Sequence, residues 1–146
     1  LLHTSWKGRF TVINKKPLFI VDGAHNAGAA DKMAESIRHY FNGKKLIYIM
    51  GVFADKEYKI VLEKTAHFAE KIYTIETPDN PRALPAEELA KAARVYNSSA
   101  ESTKSIKDAV EKAFSCAGDD ENSVILAFGS LSFIGALTDA VEEYVG

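Results

Sequence analysis

Apolar and polar positions change their spacing along the chain, and each change marks an element. From Gly8 to Ile13 the sequence is β-branched and aromatic, Asn14-Lys15-Lys16-Pro17 makes a turn, and Leu18-Phe19-Ile20-Val21 is an unbroken apolar run. Two strands joined by so short a turn are expected to pair antiparallel. After Gly23 the apolar residues recur at helical spacing: Ala30, Met33, Ala34, Ile37 and Phe41 share one stripe, while Asp31, Lys32, Glu35 and Arg38 fall off it. This predicts an amphipathic helix that ends at Asn42-Gly43. Leu46 to Met50 reads as a second buried strand, Gly51 to Asp55 leads into a helix carrying Ile60, Val61, Lys64 and Phe68, and Lys71 to Ile75 is another strand.

Glu76 to Leu84 contains Pro78, Asp79, Asn80 and Pro81, which is loop chemistry. Pro85 opens a helix running to about Tyr96, with Glu87 and Glu88 in its first turn, where the helix dipole favours negative charge. Ser102 or Thr103 is the expected cap of the next helix, whose stripe is Ile106, Ala109, Val110, Ala113 and Phe114 and which Gly118-Asp119-Asp120 ends. Val124 to Phe128 is apolar throughout and predicts a central strand. Gly129-Ser130 then turns into a last helix whose Leu131, Ile134, Leu137, Val141 and Tyr144 are expected to face inward. Fully apolar strands alternating with helices argue for a three-layer α/β sandwich of Rossmann-like type, its sheet mostly parallel with an antiparallel N-terminal hairpin.

The 146 residues are 47% hydrophobic and 26% charged, which suits one domain, 1–146, with a sizeable core. Lys and Arg number 18 against 20 Asp and Glu, a formal net charge of -2, so nothing draws the molecule as a whole to nucleic acid or to a membrane surface. One cysteine, Cys116, permits neither an internal disulfide nor a cysteine-held zinc, and a reducing, cytoplasmic setting is expected. No apolar stretch reaches the roughly 18 to 20 residues of a membrane span. The start, Leu1-Leu2-His3-Thr4, is neither a methionine start nor a signal peptide, and a fragment of a longer protein is expected.

In sheets of this kind ligands bind beyond the carboxyl ends of the strands, so residues just after each strand carry the chemistry. Asp22-Gly23-Ala24-His25-Asn26 lies there. A carboxylate at a strand end suits a ribose hydroxyl, the following helix N-terminus suits a phosphate, and His25 beside it would serve as a neutral hydrogen-bonding imidazole. The plainer alternative is that Asn26 caps the helix and Asp22 braces the turn. Arg9, read as a strand residue beside Phe10, either points to solvent or, if the hairpin sets it next to Asp22, offers a fixed charged fork for a phosphate. Asp55-Lys56-Glu57 reads equally as a solvated helix start. Asp79-Asn80-Pro81-Arg82 pins an arginine between Pro81 and Pro85, which favours carboxylate recognition. Ser130 is either a plain cap or a hydroxyl presented to a ligand. Cys116, His39 and His67 have no suitable partners nearby and read as structural or surface. The chain lacks a P-loop, a dinucleotide-binding glycine motif, a nucleophile elbow and any metal-spaced His or Cys cluster, so a self-sufficient nucleotide hydrolase, dehydrogenase or esterase is not expected.

Taken together, Gly8-Arg9-Phe10, Asp22-Gly23-Ala24-His25-Asn26, Gly51-Val52-Phe53-Ala54-Asp55-Lys56, Asn80-Pro81-Arg82-Ala83-Leu84 and Gly129-Ser130-Leu131 resemble, in order, the C-terminal domain of folylpolyglutamate synthase, including its bifunctional dihydrofolate synthase form. That family is related to the muramyl ligases. Ala27 stands where the family commonly has proline, and Ser132 where an aromatic residue is usual. The resemblance implies an ATP-dependent ligase: a folate carboxylate is phosphorylated and the amino group of glutamate attacks the acyl phosphate. It implies that the P-loop and most magnesium ligands lie in a separate N-terminal domain, with which this domain would close over the nucleotide, so that this chain alone would be inactive. By the same resemblance Arg9, Asp22, His25 and Asn26 would meet ATP, and Lys56, Asn80, Arg82 and Ser130 would hold glutamate. A monomer is expected. Two other readings stand beside this one: a muramyl peptide ligase domain, and a non-catalytic receiver-like or anion-binding α/β module, which would need a cluster of carboxylates around magnesium.

Overall fold

A computed structural model describes residues 4–7 and 9–146; Gly8, the start of the first predicted strand, and Leu1 to His3 lie outside the described residues. In chain order the elements are β1 (Thr4–Trp6), β2 (Phe10–Lys15), β3 (Leu18–Val21), α1 (Ala27–Tyr40), β4 (Lys45–Met50), α2 (Tyr58–Thr65), β5 (Ala69–Thr74), α3 (Ala86–Arg94), β6 (Glu101–Ser102), α4 (Ile106–Ala117), β7 (Ser123–Phe128) and α5 (Ile134–Val145). They build one seven-stranded sheet in the order β1-β2-β3-β7-β4-β5-β6. β1, β2 and β3 form an antiparallel meander, and from β3 onward every neighbour is parallel. The predicted α/β sandwich with an N-terminal hairpin is the observed fold.

Alternation along the central strands sends side chains to two separate cores. On one face Ile20, Tyr48, Ile72, Leu126 and Phe128 pack against Met33 and Ile37 of α1, Val61 and Leu62 of α2 and Leu89 of α3. On the other Phe19, Ile47, Ile49, Tyr73 and Ile125 pack against Val110, Ala113 and Phe114 of α4 and Leu137 and Val141 of α5. A polar atom inside this packing finds a partner: the fully buried Tyr48 hydroxyl donates to the Thr65 carbonyl at 2.7 Å, and burial pushes its pKa up.

Three sequence expectations need correction. Ser105 caps α4, its hydroxyl accepting from Asp108 N–H at 3.0 Å, whereas Ser102 belongs to the edge strand β6 and the Thr103 hydroxyl and N–H both bond the Thr74 carbonyl. The helix after β4 ends at Thr65, and Phe68 belongs to a separate single 3-10 turn. Neither Leu131 nor Tyr144 faces inward: Leu131 is 63% exposed in a 3-10 turn ahead of α5, and Tyr144 is 46% exposed and stacks on Phe114 with ring centroids 4.5 Å apart.

Candidate functional site

β3, β7, β4 and β5 are parallel, so their carboxyl ends open on one side of the molecule. Asp22 directly follows β3, and its N–H donates to the Ala127 carbonyl at 3.0 Å, which continues the pairing with β7 and fixes the side chain. The carboxylate is 6% exposed. Its Oδ1 accepts from Ala24 N–H at 2.7 Å, and its Oδ2 lies 3.1 Å from Arg9 Nη2. Burial pushes the Asp22 pKa up, opposed by the Arg9 charge and by the Ala24 N–H. Arg9 stands in the turn before β2 rather than in a strand, and it does not point freely to solvent: its Nη2 also donates to the Ala29 carbonyl at 3.2 Å. Asp22 Oδ2 and Arg9 Nε are both enclosed without a well-formed hydrogen bond, so the pair keeps unused polar capacity.

The turn after Asp22 makes the contacts of the plainer reading offered by the sequence. Asn26 Oδ1 accepts from Ala29 N–H at 2.9 Å and caps α1. Ala27 N–H donates to Glu57 Oε1 at 3.1 Å, a contact that proline at this position could not make, so the α1 N-terminus already holds a carboxylate. His25 Nδ1 lies 2.8 Å from the Gly23 carbonyl. A carbonyl can only accept, so Nδ1 carries a proton, and in the tautomer protonated there alone Nε2 is an acceptor.

His25 opens into a cavity of about 280 Å³ shared with Phe53, Lys56, Arg82, Ser130 and Leu131. The structure thus joins His25, assigned above to the nucleotide, to three residues assigned to the amino acid. Asn80 lies behind this cavity: its Oδ1 accepts from Arg82 N–H at 2.8 Å and shapes the loop. The loops after β4 and β5 are zipped together by Ala54 N–H to the Arg82 carbonyl at 2.7 Å and Leu84 N–H to the Val52 carbonyl at 3.0 Å. Ser130 is 7% exposed, and its Oγ lies 2.8 Å from Ser132 Oγ and accepts from Ser132 N–H. Gly129, at φ +112°, allows this corner; a Cβ there would stand 2.3 Å from the Gly51 carbonyl oxygen. His39 and His67 are exposed, as surface residues should be.

Phe53 and Asp55, which the sequence reading placed in motifs without a role, complete the site. Arg82 lies over the Phe53 ring, 4.6 Å from its centroid, and Arg82 Nη2 donates to both oxygens of Asp55 at 3.1 and 2.9 Å. That contact holds the Asp55 carboxyl below its ordinary value. The available signal was their place: both lie within three residues of Lys56. A larger groove, about 590 Å³, runs past Leu18, Phe41, Lys44 and Val124 at the opposite, amino ends of the strands, away from these convergent polar groups. Among the described residues no three His, Cys, Asp or Glu side chains are grouped so that they could hold a metal ion. Nor is any helix of these residues long and apolar enough to cross a membrane.

A family model described as Mur ligase, glutamate ligase domain, matches residues 8–131. The chain belongs to this family. A Bacillus subtilis protein named dihydrofolate synthase/folylpolyglutamate synthase is 28% identical to this Mur ligase domain over 134 residues, covering 92% of the chain and 30% of that protein. A Buchnera aphidicola protein of the same name is 30% identical over 128 residues, covering 84% and 29%. A crystal structure of a bifunctional folylpolyglutamate synthase/dihydrofolate synthase with Mn, AMPPNP and L-glutamate bound matches with a TM-score of 0.77 at 25% identity, covering 94% of this chain and 32% of that one. An E. coli FolC structure in complex with DHPP and ADP shares the fold, with a TM-score of 0.80 at 20% identity over 97% of this chain and 32% of its own. The domain therefore spans less than a third of the length of the curated relatives named here.

Proposed function

We propose that this Mur ligase domain is the C-terminal part of an ATP-dependent ligase that joins glutamate to folate through an acyl phosphate, working with an N-terminal P-loop domain that supplies most magnesium ligands. The observation that carries the reading is convergence. Lys56, Arg82, Ser130 and His25 come from the loops after four different strands and line one cavity. Two cations of different shape suit an amino acid with two carboxylates. Lys56 supplies a mobile point charge and Arg82 a planar fork. His25 Nε2, as an acceptor, suits the amine of the same substrate. With the amine and carboxylates held, attack on a neighbouring acyl phosphate becomes a matter of alignment, which is worth several kcal/mol of barrier.

The nucleotide is assigned to the adjoining Arg9 and Asp22. Asp22, a carboxylate at the end of β3, is the kind of acceptor a ribose hydroxyl requires, and its partner Arg9 supplies the charge that terminal phosphates require. Asn26 acts here by fixing the start of α1, and Asn80 by fixing the backbone of Arg82. Names of the relatives favour folate over a muramyl peptide as the acceptor. The test is ADP release by the full-length polypeptide with ATP and magnesium, offered dihydrofolate or tetrahydrofolate and L-glutamate together and each alone, beside a UDP-muramyl peptide. Turnover that needs both the folate and glutamate supports the reading. Turnover with the muramyl peptide alone as acceptor overturns it.

A further inference from the structure

Asp55 is exposed and pairs with an exposed arginine, a kind of contact that is ordinarily worth little. Its geometry gives it another significance. Both Asp55 oxygens rest on the single nitrogen Arg82 Nη2, and no hydrogen bond among the described residues engages Arg82 Nε or Nη1. Arg82 and Phe53 line the cavity, whereas Asp55 does not. The carboxylate thus holds the guanidinium from outside the cavity lining, and the Phe53 ring lies 4.6 Å from it. An arginine on a loop has several soft torsions; one fixed by a carboxylate on one nitrogen and an aromatic ring on one face has few. The backbone ties between Ala54 and Arg82 and between Val52 and Leu84 hold the two loops in register, so Asp55 and Arg82 share one rigid unit.

We propose that Asp55 is a positioning residue, which restrains Arg82 at the cavity so that a substrate carboxylate meets N–H donors already held in place. This rests on the assignment of the cavity to glutamate made above. Without the carboxylate, Arg82 would pay its ordering cost at the moment of binding, and affinity for the amino acid would fall while the chemical step stayed the same.

The test is initial-rate kinetics on the full-length polypeptide carrying Asp55→Ala, Asp55→Asn or Arg82→Lys, each with its melting temperature recorded. Asp55→Ala is expected to raise the KM for glutamate about five- to tenfold with kcat and the KM for ATP held, and Asp55→Asn, which keeps an acceptor, to recover at least half of that loss on a logarithmic scale. Arg82→Lys keeps the charge but loses the fork, and should raise the glutamate KM roughly tenfold, as loss of about 1.4 kcal/mol requires. If Arg82→Lys has its effect and Asp55→Ala leaves or lowers the glutamate KM, Asp55 is a bystander or a competitor for the fork and the positioning role is overturned. If Arg82→Lys itself leaves the glutamate KM unchanged, the assignment of the cavity fails and the inference with it. Should Asp55→Ala fail to fold, Asp55→Asn decides: a glutamate KM raised two- to threefold at a parental melting temperature supports positioning, and an unchanged one overturns it.

Discussion

Arg9→Ala isolates the pair at the end of β3. Removing the guanidinium leaves Asp22 5% exposed at its side chain with no counter-charge, and cutting one partner from a fully buried pair costs about 3 to 5 kcal/mol. Arg9 is itself 24% exposed, so solvent already screens the pair and about 2 kcal/mol is the fitting figure. Loss of the bond to the Ala29 carbonyl adds about 1 kcal/mol. Together these lower the melting temperature by about 6 to 12 °C in a domain of this size. The pH dependence is the sharper signature. Arg9 is what opposes the upward push of burial on Asp22, so in the variant the folded pKa rises further above 3.8. An acid whose pKa is higher folded than unfolded binds its proton more tightly in the native state, so its contribution to stability is best at low pH and declines as pH rises through the folded value. The deficit of Arg9→Ala relative to the parent should therefore be small near pH 4 and grow toward neutrality. Urea unfolding of both proteins across that range measures it, and the exposed ion pairs common to both cancel in the difference. Adding Asp22→Asn to the variant should remove the pH dependence of the deficit. A deficit that is flat with pH, or that grows toward acid, would refute the reasoning.

In the full-length polypeptide Asp22→Ala should raise the KM for ATP roughly tenfold with little effect on that for folate, since hydrogen bonds worth about 1 to 3 kcal/mol are lost, and initial rates varying each substrate check it. Gly129→Ala forces a side chain onto φ +112° and against the Gly51 carbonyl; about 2 to 4 kcal/mol of stability should go, visible as a lowered urea midpoint. Ser105→Ala removes the α4 cap and should cost about 1 kcal/mol by the same measurement, with Ser102→Ala clearly less.

How much of this was legible beforehand depends on the range of the interaction involved. Leu18–Val21, Leu46–Met50 and Val124–Phe128 were readable as strands because burial on both faces demands unbroken apolar runs, and all lie within the observed β3, β4 and β7. The position of Asp22, His25, Lys56, Arg82 and Ser130 just beyond strand ends was readable for the same reason. What the sequence did not show was set by partners far along the chain. β1 is three residues long and β6 two, and each is a strand only because β2 or β5 offers it a ladder. The cap of α4 moved from Ser102 or Thr103 to Ser105 because pairing at the sheet edge engages the earlier residues. Tyr144 keeps helical spacing but lies near the end of α5, where the underlying core gives way to a ring stack on Phe114. Asp55 looked like part of a charged helix start; its arginine partner stands 27 residues away.

The most direct measurement is a crystal structure of the full-length polypeptide with a non-hydrolysable ATP analogue, magnesium and L-glutamate. With the substrates held as proposed, glutamate occupies the cavity with one carboxylate on the Arg82 guanidinium and the other within reach of Lys56, while the nucleotide ribose lies against Asp22. Glutamate bound elsewhere, with the cavity empty or filled by the nucleotide, would contradict the site.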